Sequence, residues 1–172
     1  MLSFFKSFLP KPKVRSVAAL QQFLESEAAH LAQKSIVDFT RNELGVLSSQ
    51  ALGDQRFQDR LAISRWEGFA GILADMVVLT QACLQSAGTP RDSLNKHLGD
   101  LYAAILATHP VPNHRSQGWD AEIAALRARL ASRGDEPASP QAYAEATGAR
   151  IFDTLPFAPR DPVENRMVLC NA

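Results

Sequence analysis

Apolar positions recur along this chain at three- and four-residue spacing, interrupted by a few proline- and glycine-rich joints, and the pattern predicts helix after helix. Val17, Leu20, Leu24, Ala28 and Leu31 share a face that continues, with drift, through Ile36 and Phe39. They predict a first helix from about Ser16 to Leu44, with Gly45 as its stop. Val46 to Gly53 reads as a turn or helical fragment. Asp54 is a good N-cap for a second long helix running through Phe57, Leu61, Trp66, Phe69, Leu73, Met76 and Thr80 to about Gln85. Gly68 and Gly71 weaken its propensity but allow a neighbouring backbone to come close.

A third helix has Thr89 as expected N-cap, Pro90 at its first position and Asp92 at N3. Leu94, Leu98, Leu101 and Ile105 form its apolar face, and Pro110 ends it. A loop, His109 to Gly118, leads to a fourth helix with Trp119, Ile123, Leu126 and Leu130 in register. Its acids, Asp120 and Glu122, lie in the first turn and its arginines toward the end, as the macrodipole favours. After the polar stretch Gly134 to Ala138, Ser139-Pro140 opens a fifth helix to about Asp153, anchored by Tyr143, Ile151 and Phe152. Prolines 156, 159 and 162 make the remainder irregular. No alternating run predicts a sheet, so the expected fold is an all-α, single-domain bundle of about five helices. Residues 1–15 form an apolar and basic arm, 16–155 the bundle, and 156–172 a proline-rich tail.

The second helix poses the main architectural question. From Gly68 to Pro90 it carries a single charge, Asp75, and its densest part is apolar almost all the way round. Such a helix must be covered by lipid or by protein. A spanning helix needs about 20 predominantly apolar residues, and a carboxylate at the bilayer centre costs about 2.5–3.5 kcal/mol. The apolar run is shorter than that and its flanks are polar, so a core helix is expected, with Asp75 paired inside by Arg65, Arg41 or Arg150.

Composition adds exclusions. The 172 residues, 46% hydrophobic and 21% charged, suit one globular domain. Zero formal net charge argues against nucleic acid as the main partner. Cys83 and Cys170 form neither a disulfide framework nor a C-x-x-C site, which favours a reducing compartment, with Cys83 expected to act as a small hydrophobe. No nucleophile elbow, phosphate loop or His-Glu-x-x-His pattern occurs.

Three features could carry function. Leu2, Phe4, Phe5, Phe8 and Leu9, with Lys6, Lys11, Lys13 and Arg15 among and after them, make a short basic-flanked apolar arm suited to a partner or an anionic membrane surface. Glu27-Ala-Ala-His30 resembles half of the carboxylate site of ferritin-like di-metal bundles. The second Glu-x-x-His and the further carboxylates are missing, so no metal and no cofactor is expected. His97 and Asp100, with Asp75 as a bridge, are the nearest counterparts. The loop holding His109, His114 and Arg115 could face a ligand, although its histidines match no metal spacing and Pro110 and Pro112 read simply as a stiff connection.

The leading expectation is a non-enzymatic adaptor, regulatory or assembly factor that binds another protein, in the cytoplasm or peripheral to the inner face of a membrane. The alternative is an enzyme or ligand-binding bundle with a polar pocket formed by Asp75, His97, Asp100, Glu27 and His30. That alternative requires those side chains to converge on one cavity.

Overall fold

Two side chains cap the starts of the longest helices, Asp54 as the sequence predicts and Ser16 at the expected beginning of the first. Ser16 Oγ accepts from Ala19 N at 3.1 Å at the start of α1 (Val17–Leu44), and Asp54 Oδ1 accepts from Phe57 N at 2.8 Å at the start of α3 (Gln55–Ser86). The computed structural model describes residues 14–132 and 140–157, except for the side chains of 140–144. Gly45 stops α1 with a φ of 53°, its N–H bonded to Arg41 O. A 3-10 turn, Gly45–Leu47, and the short α2 (Ser48–Gly53) then reverse the chain. The bundle is completed by α4 (Arg91–Ala107), α5 (Asp120–Ser132) and α6 (Pro140–Thr154), with no strand among the described residues.

The third start differs from expectation. Pro90, with φ −60° and ψ 135°, is itself the cap residue and makes no side-chain hydrogen bond, so α4 begins at Arg91 rather than at the proline. Its extended ψ leaves the helix one residue to turn in, and Pro90 O accepts from Leu94 N. Trp119 likewise precedes α5, its carbonyl accepting from Ile123 N at 2.9 Å.

α3 is the central helix and packs against α1, α2, α4, α5 and α6. By length and composition it could cross a membrane. Here most of its buried polar groups meet protein partners, Arg65 Nε and Gln81 Oε1 being exceptions among the described residues. Ser64 Oγ donates to Thr154 O at 2.6 Å, Gln81 Nε2 donates to Leu130 O at 3.1 Å, and Glu67 and Asp75 are ion-paired. Around it Leu24, Phe69, Leu73, Val77, Leu98, Tyr102, Ile105 and Leu126 form the main core. A second cluster, Ile36, Phe39, Leu61, Ile151 and Leu155, sits toward the α1–α2 turn. Full burial of each such side chain contributes roughly 1.5–3 kcal/mol. Phe157 extends that cluster by stacking on Phe39 and Phe57, ring centroids 6.3 and 6.2 Å away.

The apolar face of α1 is narrower than its sequence suggests. Leu24, Ala28, Ala32 and Ile36 are buried at strict four-residue spacing, whereas Val17 and Leu31 are exposed at its edges. Cys83 corrects another expectation: it is exposed, because α3 turns this side away from its neighbours near its end. Gly68 and Gly71 have the packing role read from sequence. A Cβ on Gly71 would stand 2.8 Å from Thr147 Cγ2, and one on Gly68 would stand 3.2 Å from Ile151, so both glycines seat α6 on α3. The stretch 133–139, the Tyr143 side chain and residues 158–172 lie outside the described residues.

Candidate functional site

The densest polar constellation centres on Glu67, which the core spacing of α3 carries inward between Ser64 and Gly71. Its side chain is only 6% exposed and receives three cationic or ring donors. Arg115 grips it with both edges, Nε to Oε1 at 2.7 Å and Nη2 to Oε2 at 2.6 Å. Arg150 Nε donates to Oε2 at 2.5 Å, and His114 Nε2 lies 2.8 Å from Oε1. A carboxylate can only accept, so the His114 nitrogen facing it carries the proton. Glu122 on α5 completes the group, accepting from Arg150 at 2.9 Å and pairing with Arg115 at 2.5 Å. Burial would raise the Glu67 pKa, but hydrogen bonds from Arg115 and His114 and the charge of Arg150 overcome it and bring it down to about 2. Glu67 in turn raises Arg115. The cluster ties α3, α5, α6 and the 109–118 loop together, and Arg115 also sits 4.7 Å over the ring of Trp119.

Asp75 forms a second node, two turns along α3. Arg129 Nη1 donates to its Oδ1 at 2.7 Å and Thr147 Oγ1 to its Oδ2 at 2.6 Å. Arg129 is thus the partner, in place of Arg65, Arg41 or Arg150; it reaches Asp75 because α5 and α6 flank α3 on this side. Burial pushes the Asp75 carboxyl up, and the bonds from Thr147 and Arg129 do not cancel that rise. Beside this node lies a cleft of about 420 Å³. Ala70 and Ala74 from α3, Ala121 and Ala125 from α5, and Tyr102 line it, with Arg129, Arg150 and Glu122 also in its wall. Tyr102 OH donates to Ala70 O at 3.1 Å, and burial raises its pKa.

The other residues singled out from sequence do not converge on Asp75. Glu27 and His30 are exposed on α1. His97 and Asp100 are exposed on α4, where His97 Nδ1 lies 2.6 Å from Ser93 O and Asp100 pairs with Lys96 and Arg127. None of these four shares a hydrogen bond or ion pair with Asp75, and among the described residues no three His, Cys, Asp or Glu side chains are grouped to hold a metal. Phe4, Phe5, Lys6, Phe8 and Leu9 lie outside the described residues.

Sequence reasoning passed over a surface built around Trp66. The Trp66 ring is half-buried and meets Phe69 and His109 edge-on, at centroid distances of 6.0 and 5.6 Å. His109 Nε2 is held 3.0 Å from Glu25 Oε1. On one side of Trp66 a groove of about 320 Å³ runs between α1 and α3, floored by Ala32, Ala62 and Phe69. On the other, a depression of about 690 Å³ lies between α3 and the loop, bounded by Ile63, Pro110, Val111 and Pro112. Ala62 and Trp66 border both. The loop's prolines and its His114 and Arg115 were visible in the sequence; their position against Trp66 was not. The Glu67 network underlies this surface through His114 and Arg115 and holds the loop in place.

Chemically, the ionisable groups of both nodes are mostly spent on one another, Glu122 Oε2 being left without a hydrogen-bond partner among the described residues. The Trp66 surface is open and sets apolar side chains beside polar ones such as Arg65, Asp59 and Asn113. Compared with models of protein families, with curated proteins and with solved structures, the chain finds no match in any of the three.

Proposed function

We propose that this chain is a non-enzymatic helical adaptor, regulatory or assembly factor that acts by binding another protein through the Trp66 surface. The observation that carries the reading is the pair of depressions on either side of Trp66, which share Ala62 and Trp66 as walls, the larger bounded by a loop that the Glu67 network ties to the helices. Aromatic anchors bordered by apolar walls are what protein interfaces use most. Exposed Val111 widens the apolar area, and Asp59 marks its polar edge.

A membrane-surface role for Met1 to Lys13 rests on their sequence alone and is compatible with this reading, as is a cytoplasmic location against the inner face of a membrane. A ligand pocket beside Asp75 is the second reading, and the 420 Å³ cleft favours it. A thermal-shift screen of small metabolites separates the two: hits abolished by Ala125→Leu, which fills the cleft, would favour the pocket.

The adaptor reading is tested by affinity capture from the source cells with wild-type chain and with Val111→Asp. Val111 is 54% exposed, so the change leaves the core intact. A specific protein retained by the wild type and reduced at least severalfold by the variant supports the reading. Equal retention by both overturns it.

A further inference from the structure

One guanidinium in the Trp66 surface meets no carboxylate among the described residues. Arg65 lines the α1–α3 groove beside Ala62 and Phe69; its Nε is buried without a hydrogen-bond partner, and among the described residues it has no ion pair. Arg115, Arg129 and Arg150 each meet a carboxylate, whereas Arg91, whose Nε is likewise buried without a hydrogen-bond partner, donates through Nη2 to Ala131 O. A buried donor left unmatched is costly, and a charged one more so. Charges of both signs border the groove, with Glu25 held against His109 and Arg65 the lining cation that meets no carboxylate among the described residues. The strip of α1 continuing from Ala29 and Gln33 adds Lys34, paired with Asp38, and Arg41, which has no salt bridge among the described residues, so the cations without an ion pair on this side are Arg65 and Arg41.

We infer that the groove receives an acidic, amphipathic peptide segment of a partner protein, whose bulky apolar side chain lies against Ala32, Ala62 and Phe69 while its carboxylate pairs with Arg65. The inference rests on the protein-binding reading and specifies the chemistry of the partner. A peptide fits better than a small carboxylate because the groove is open along its length, whereas small ligands are mostly enclosed by their sites. The chain's own first 13 residues carry three lysines and no acid, which makes them the wrong charge for this occupant.

The test selects random 12-residue peptides displayed on phage against the full-length chain. Binding is read by Trp66 emission in a Trp119→Phe background; Trp119 Nε1 has no hydrogen-bond partner among the described residues, so that change removes no hydrogen bond there. The inference predicts enriched peptides with Asp or Glu near a large apolar residue. Their affinity should fall roughly tenfold or more with Arg65→Gln, the size of one charge-assisted hydrogen bond. Affinity should be partly kept by Arg65→Lys, and Ala62→Leu, which fills the groove, should abolish binding. Peptides that shift Trp66 emission without acidic enrichment, or that bind Arg65→Gln equally, would overturn the inference and leave the protein-binding surface standing. An emission shift by octanoate alone as strong as that by the peptides would also overturn it, in favour of a small carboxylate. If no peptide perturbs Trp66, the inference and the surface fall together.

Discussion

Arg115 holds both carboxylate oxygens of Glu67 from a loop 48 residues further along the chain. This contact fixes the loop whose outer side borders Trp66, so the stability of the core and the shape of the surface share one ion-pair cluster. Removing the acid leaves Arg115 and Arg150 facing each other with only Glu122 between them. Glu67→Gln should therefore cost about 3–5 kcal/mol, the range for breaking a buried pair. Urea unfolding measures this directly, and a loss below about 1 kcal/mol would show that the network is dispensable.

The same carboxylate predicts a pH response. Its folded pKa lies below the ordinary value of 4.5, at about 2, so its stabilisation is fully present above pH 4.5 and disappears as pH falls from there toward 2. The shift corresponds to roughly 3 kcal/mol. Wild-type stability should drop across that window, and Glu67→Gln should flatten the drop by about this amount. Parallel pH profiles for the two proteins would assign acid unfolding elsewhere.

Asp75 should behave differently. Its carboxyl is raised by burial, so the charged form is disfavoured inside, and its contribution diminishes as pH rises through its folded pKa. Asp75→Asn removes the desolvation cost and keeps an oxygen for Thr147, while Arg129, 36% exposed, can turn to water. The variant should lie within about 1 kcal/mol of wild type at pH 7, far milder than Glu67→Gln. Chemical unfolding of both side by side decides the order.

Gly71 and Thr147 set the distance between α3 and α6. Gly71→Ala gains up to about 1 kcal/mol of helix propensity. Its Cβ, however, meets Thr147 Cγ2 at 2.8 Å, and Thr147 cannot swing away without losing its bond to Asp75. Net destabilisation of about 1–3 kcal/mol is expected. Thr147→Ser, which deletes the clashing methyl, should recover part of it. Additive effects in the double-mutant cycle would rule out this contact as the cause.

The N-terminal arm makes a separate prediction. Co-sedimentation with vesicles containing phosphatidylserine should be detectable for the full chain and weakened at 0.5 M salt. It should be lost when residues 1–13 are removed. Equal partitioning of both chains would remove the membrane surface from the account.

Much of the architecture could be read locally. The i, i+4, i+7 spacing of Leu94, Leu98, Leu101 and Ile105 names the buried face of α4, and Ser16 and Asp54 announce helix starts, because periodicity and capping are set by neighbours within one turn. What lay beyond reach was the order of helices around α3. Asp75 meets Arg129 at a separation of 54 residues and Glu67 meets Arg150 at 83, and nothing local distinguishes these arginines from Arg65 or Arg41. Glu67 did carry a signal: a charge three residues from Ser64 and four from Gly71 on a core face needs a buried partner. The exposed positions of His30, Glu27 and His97 show the converse, since helical spacing aligns side chains on a face without saying whether that face is covered.

The most direct measurement places a photo-cross-linking residue at Val111, and in a second protein at Asp92 near the opposite end of α4, about 25 Å of helix away. Irradiation in the source cells should give a discrete heavier adduct from position 111 and none of the same mass from 92. Adducts of equal mass and intensity from both positions, or none from 111, would contradict a partner-binding surface at Trp66.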